Sequence, residues 1–367
     1  MSLLKDLETI VNIRSFTNDQ EAVNKVQSYL FEKFNDAGFI CELFKDSLAG
    51  DLLVARNVNK KNKPQILLLG HADIVPNEEF NDFKTVDDKC YGNGVADMKA
   101  GLIVILGIMQ QLNSNLYNIT CVISPDEEYG SLAHQKRMYE IYKTVDYVFV
   151  FEPGLENNQV SWPSGRWLIN KRKGLGEFSV SIKGPGGHAA NELKNRQNVI
   201  EEMAYKILAW QKLTNLERGI TTNVGLIKGG QATNIIAPNC EAGVDIRAIT
   251  KSDYQELINK CKEIALQNKL DVESQWQLLL GIAPLEPNAK ADNLMQLAKE
   301  YYFKKNIEVV DSLRGIGSDG NQAGQFGAGV LDGLGGVGAN LHRPDEWIYK
   351  DSIIESIDLV VDVIKKL

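Results

Sequence analysis

PQILLLGHADIVP, residues 64–76, is an apolar run that ends in His71 and, two residues on, Asp73. Further apolar runs at 117–124 and 146–152 alternate with helix-like patterns at 100–113 and 131–143. Such alternation is what a largely parallel, doubly wound α/β sheet requires, and in that architecture functional residues gather at the carboxyl ends of the strands. His71, Glu127 and Glu152 all fall at those ends.

The pattern changes near residue 174. GEFSVSIKG (176–184) alternates with period two, and is followed by a helical stretch at 196–213, strands at 222–228 and 239–247, a helix at 251–268 and a strand at 271–280. This β-α-β-β-α-β order predicts a two-layer, ferredoxin-like α+β unit with a mostly antiparallel sheet. After GIAPLEP (281–287) helix, strand and helix signals resume, so the first domain reads as discontinuous, over 1–172 and 285–367, with an inserted domain at 173–284.

The composition narrows the function. A net charge of −8 argues against a nucleic-acid-binding surface. The uncharged stretch Ala100–Leu116 contains only a short strongly apolar segment, below the roughly 20 residues needed to span a bilayer, and reads as a buried helix. Charged residues at Lys5, Asp6 and Glu8 interrupt what a signal peptide would need as its apolar core, so the expectation is a cytoplasmic protein. The five cysteines, at 41, 90, 121, 240 and 261, form no C-x-x-C pair and suggest buried thiols rather than disulfides or a thiolate zinc site. His134 and the basic run Lys171–Lys173 read as surface.

The chemistry-bearing residues are scattered but alike: His71 and Asp73, Asp97 in YGNGVADMKAG, Glu127 and Glu128 in PDEEYG, Glu152 in FEPG, and His342 in LHRPDEW. Placing so many carboxylates at strand ends would be costly unless they converge on a cation, and imidazole with carboxylate suits zinc. Asp97, in a turn made permissive by Gly92 and Gly94, is the natural bridge between two ions. Asp73 can hold the His71 ring as an outer acceptor. Adjacent acids on extended backbone point to different sides, so one of Glu127 and Glu128 can ligate metal while the other reaches the attacking water. GLGGVG (333–338) matches a dinucleotide fingerprint but no convincing helix follows, and GIGSDG (315–320) lacks the first glycine of a serine-hydrolase elbow and reads as a substrate-pocket loop.

GHADIVP, YGNGVADMKAG, PDEEYGS, FEPG, GPGGHAAN, ATNIIAPNCEAGVDIR and LHRPDEW, in this order, resemble the dinuclear zinc hydrolases that include glutamate carboxypeptidase, acetylornithine deacetylase and succinyl-diaminopimelate desuccinylase. The wording is most similar to the glutamate carboxypeptidase branch. The resemblance implies one zinc held by His71, Asp97 and Glu152 and a second by Asp97, Glu128 and His342, with cobalt or manganese as alternatives. It implies Glu127 as general base, Asp73 as the acid behind His71, and a cis bond between Asp97 and Met98. It further implies that His188, on the inserted domain of a partner subunit, acts at the scissile carbonyl, so the expected assembly is a homodimer through that domain. Asn234 and Arg247 match positions that hold the substrate's carboxylate end. Gly187 and Ala100 stand where many relatives have Ser and Gly, and neither change removes a ligand.

These parts imply a metal-dependent hydrolase of a short peptide or N-acyl amino acid bearing a free carboxylate. The alternative within the same chemistry is an N-acetyl or N-succinyl amino acid deacylase. Neither nucleic acid nor membrane is an expected partner.

Overall fold

The computed structural model describes residues 3–367 apart from 58–61, 78, 113–115, 156–160, 193, 194 and 196. The expected helix limits at 113 and 196 therefore lie outside the described residues. The chain divides into two compact units, one of residues 1–171, 287–313 and 318–367, the other of 172–286 and 314–317.

The first unit is built on a six-stranded sheet ordered Ile40–Phe44, Leu52–Arg56, Asn118–Ser124, Gln65–His71, Tyr147–Val150, Gly329–Leu331. The last four strands are mutually parallel, and Leu52–Arg56 runs antiparallel to both its neighbours, Asn118–Ser124 and the edge strand Ile40–Phe44. Gln65–His71 is buried along nearly its whole length, which is why its sequence is apolar at almost every position rather than at alternate ones. Its two parallel neighbours lie on opposite sides and both come later in the chain, so His71 stands where the winding of the sheet reverses. In open α/β sheets a crevice opens at that point, outside the carboxyl ends. The helices Leu3–Val11, Gln20–Asp36, Ala100–Gln111, Ala289–Phe303 and Ser352–Lys366 share one apolar core with the sheet. Among the described residues no helix is long and apolar enough to cross a membrane.

The second unit carries a four-stranded, wholly antiparallel sheet ordered Thr221–Gly229, Asn239–Ala248, Gly174–Lys183, Glu273–Ile282. Phe178, Val180 and Ile182 point alternately inward and form a core with Met203 and Trp210 of helix Val199–Gln211 and Leu257 and Cys261 of helix Lys251–Leu266. Thr221–Gly229 is an edge strand, and Leu226 and Ile227 on it are exposed.

Two surface expectations are corrected. His134 is buried, with Nε2 3.1 Å from the Gly50 carbonyl oxygen. Arg172, in the middle of the basic run, is also buried and donates to the Ile316 carbonyl at 3.1 Å. In both cases a ring or guanidinium is drawn inward by a backbone acceptor far away in sequence. The cysteines are free thiols, and all but Cys41 are buried.

GLGGVG is used for close packing. The strand Val337–Ala339 pairs with Trp347–Tyr349, and a Cβ built at Gly338 would sit 1.8 Å from the Trp347 carbonyl oxygen. Because backbone cannot yield as a side-chain tip can, Gly338→Ala is expected to cost about 3 kcal/mol, at the upper end for overpacking. Urea unfolding of the variant measures this; an unchanged midpoint would show that the pairing relaxes.

Candidate metal centre

His71 closes the buried strand Gln65–His71, Glu127 and Glu128 follow Asn118–Ser124, and Glu152 follows Tyr147–Val150. Asp97 lies in a distorted turn, Val95–Lys99, that runs into helix Ala100–Gln111. The turn needs Gly94, whose φ is +71° and where a Cβ would lie 2.4 Å from Ile74 Cγ2. The Asp97–Met98 peptide bond is cis, as the resemblance implies. His342 sits in the turn before Trp347–Tyr349 with φ +61°, an uncommon value for a side-chain-bearing residue.

These elements bring seven of the singled-out residues together in the first unit. His71 Nε2 lies 3.4 Å from Asp97 Oδ1 and 3.7 Å from Glu152 Oε1. His342 Nε2 lies 3.2 Å from Asp97 Oδ2 and 3.6 Å from Glu128 Oε1. Asp97 thus turns one oxygen to each histidine. Ligand atoms of His71, Asp97 and Glu128, and those of His71, Glu127 and Glu152, lie within 4.8 Å of one another.

Asp73 is the hub beneath them. Its carboxylate lies 3.2 Å from His71 Nδ1, and its two oxygens accept from the backbone N–H of Glu127 at 3.1 Å and of Glu128 at 3.2 Å. Thr17 donates its hydroxyl to the same carboxylate at 2.9 Å. Glu127 and Glu128 diverge, but not on the extended backbone expected: they open a single tight helical turn, Glu127–Tyr129, whose first amides Asp73 holds. The turn also explains how neighbours in sequence reach different partners, Glu127 toward Glu152 and Glu128 toward His342.

The donor set fits a divalent cation. His71 Nε2, Asp97 Oδ1 and Glu128 Oε1 are buried with no hydrogen bond, an arrangement that is costly unless a Lewis acid takes the lone pairs. Imidazole nitrogen and carboxylate oxygen are the ligand types zinc accepts. The electrostatics agree. Burial, then the charge of Asp97, pushes Glu128 up to about 8, and burial, then Glu152, raises Glu127 well above the usual carboxyl range. Burial disfavours charge on His71, yet Asp73 and Asp97 beside it raise its pKa well above the ordinary value. The hydrogen-bond contact with Asp97 takes His342 up to about 9 against the opposing effect of burial. Crowded acids that retain protons and imidazoles that gain them both mark a place that favours positive charge.

Sequence reasoning missed two contributors. Asp319 opens the short helix Asp319–Ala323, is buried, and is pushed up to about 7 by that burial, with the Ser131 hydroxyl opposing. Its charge bears on Glu127. Ser-Asp-Gly after a strand signals a helix cap, so the cap was readable in GIGSDG although the neighbour was not. Thr17 carries no local signal.

The remaining three residues lie in the second unit. His188 is exposed on the short strand Gly187–His188, which pairs with Ile235–Ile236, and Asn234 accepts the Ala189 N–H at 3.0 Å, so these two are neighbours. Arg247 lies on another strand, forked onto Asp245 at 3.1 and 3.0 Å, with Nη1 donating to the Gly315 carbonyl at 2.9 Å.

The model of peptidase family M20/M25/M40 matches residues 67–366. Carboxypeptidase G2 of a Pseudomonas species is 26% identical over 361 residues, 95% of this chain and 85% of that protein. Succinyl-diaminopimelate desuccinylase of Paraburkholderia xenovorans is 25% identical over 362 residues, covering 93% and 92%. The crystal structure of a tripeptidase from Staphylococcus aureus superposes with a TM-score of 0.78 at 22% identity, over 99% of this chain and 97% of that one.

Proposed function

The chain belongs to peptidase family M20/M25/M40 and is a hydrolase, and from this premise we propose that it cleaves an amide bond in a peptide or N-acyl amino acid with a free carboxylate. The proposed cofactor is a pair of divalent cations, zinc first and cobalt or manganese as alternatives. His71, Asp97 and Glu152 hold one, and Asp97, Glu128 and His342 hold the other. The observation that carries this reading is the carboxylate of Asp97, with one oxygen toward each histidine and one of them buried without a hydrogen bond.

Bound zinc supplies Lewis acidity that makes water a nucleophile near neutral pH. The chain's own residues do the rest. Glu127 takes the water's proton and returns it to the departing amine; a carboxyl with a raised pKa suits a group that must do both. Asp73 holds Glu127 in place through its backbone and keeps the His71 ring oriented. His188 accepts the Ala190 N–H at Nδ1, which leaves Nε2 as the protonated nitrogen able to donate to a developing oxyanion. Asn234 and Arg247 are the proposed anchors for the substrate carboxylate. Hydrogen bonds to Asp245 and the Gly315 carbonyl take three of the guanidinium's roughly five N–H donors, which leaves donors for an anion.

The likeness to a carboxypeptidase supports an exopeptidase, and the likeness to desuccinylases supports the second reading, a deacylase of N-acyl amino acids. We place the protein in the cytoplasm and propose that the second unit dimerises. An edge strand exposing Leu226 and Ile227 is a surface that pairing would cover. Sedimentation of a fully active monomer would refute the dimer.

The test joins metal analysis to a substrate panel of dipeptides, tripeptides, N-succinyl and N-acetyl amino acids, each with an amidated analogue. About two equivalents of zinc per chain and hydrolysis confined to free-carboxylate members are expected. Undiminished hydrolysis by chelator-stripped protein would sink the metal reading.

A further inference from the structure

LHRPDEW supplies more than His342. Four residues after that histidine, Glu346 is buried, and its carboxylate accepts from three backbone N–H groups of one turn: Gly94 at 2.8 Å, Ala96 at 2.7 Å and Asp97 at 2.9 Å. The main chain is tied as well, for Gly92 N–H donates to the Glu346 carbonyl at 3.3 Å and Trp347 pairs with Tyr91. The segment that carries His342 is thereby fastened to the segment that carries Asp97. These are the two residues whose side chains stand 3.2 Å apart.

We propose that Glu346 is the positioning residue of the metal centre, holding the Gly94–Asp97 backbone so that Asp97 meets His342 and His71 before a cation arrives. Three amides converging on one carboxylate fix the turn, because each bond orients one peptide unit of it. Lys99, also buried, donates from Nζ to the Ile13 carbonyl at 2.6 Å and so ties the end of the same turn to the N-terminal segment. The Glu346 carboxylate is engaged by backbone amides, so it acts on the chemistry by placing Asp97 and the segment that carries His342.

The proposal rests on the metal reading, and the experiment separates the two. Apo protein is titrated with cobalt(II), and the affinity, by competition with a chelator, and the visible spectrum are recorded for wild type, Glu346→Gln, Glu346→Asp and Leu30→Ala. Leu30 is buried in the core helix Gln20–Asp36, so its truncation lowers stability without touching the turn. Glu346→Gln turns an amide donor toward the Gly94 N–H. A fall of about 10- to 100-fold in cobalt affinity and an altered spectrum are expected, the loss typical of an outer partner that orients a ligand. Leu30→Ala should melt earlier yet keep the wild-type spectrum and affinity. Glu346→Asp keeps the charge with a shorter reach and carries the test if the Gln variant does not fold. Wild-type affinity and spectrum in a folded Glu346 variant would overturn the proposal. A wild-type protein that takes up no cobalt would remove the metal reading and this inference with it.

Discussion

Glu127→Gln is expected to lower kcat toward the upper end of the roughly 10²–10⁴-fold range for losing a general base, with bound metal unchanged. The amide is nearly isosteric and cannot take a proton. Its backbone remains pinned, because the bond from Glu127 N–H to Asp73 does not involve the side chain. Asp97, Glu128 and His342 are untouched, so the second triad keeps its ligands. Two readouts decide the role. If zinc content falls with activity, Glu127 is a ligand, which its position within 4.8 Å of His71 and Glu152 atoms would permit. If both are retained, the base lies elsewhere, and Asp319, the buried carboxyl whose charge bears on Glu127, is the next candidate.

The apolar runs were readable because a strand buried on both faces tolerates polar residues at few positions besides its ends, as Gln65–His71 and Tyr147–Val150 illustrate. The antiparallel edge was not: Ile40–Phe44 is largely half-exposed and Ile40 itself is exposed, so neither an unbroken run nor a clean alternation marks it. At the site, residue type announced the ligand atoms, but not what holds them. Asp73 gathers partners 54 to 56 residues distant, and nothing in GHADIVP names Thr17 or the amides of Glu127 and Glu128. His134 was misread for the same reason, since its cationic neighbours suggest solvent while an acceptor 84 residues away decides its burial. The fork of Arg247 onto Asp245 was the exception. Residues two apart on a strand share a face, so that ion pair was within reach of the sequence.

Asp97→Ala should remove both cations at once, weakening zinc binding by more than the roughly 100-fold expected for an outer partner and taking activity below detection. The two oxygens of Asp97 serve different histidines, Oδ1 at 3.4 Å from His71 and Oδ2 at 3.2 Å from His342, so no other single truncation strips a ligand from both triads. His342→Ala makes the contrast. Its ring is partly open to solvent, while His71 is buried at the end of its strand, and the loss of His342 should empty one position and leave His71 with Glu152 and Asp97 for the other. Metal content near one equivalent for His342→Ala and near zero for Asp97→Ala is therefore the expected pattern. Asp97→Asn guards against a folding artefact, since it keeps the shape of the turn and the backbone N–H given to Glu346 while withdrawing the charge. One equivalent of zinc retained by both Asp97 variants would mean that the two triads do not share a bridge and that the centre is two independent sites.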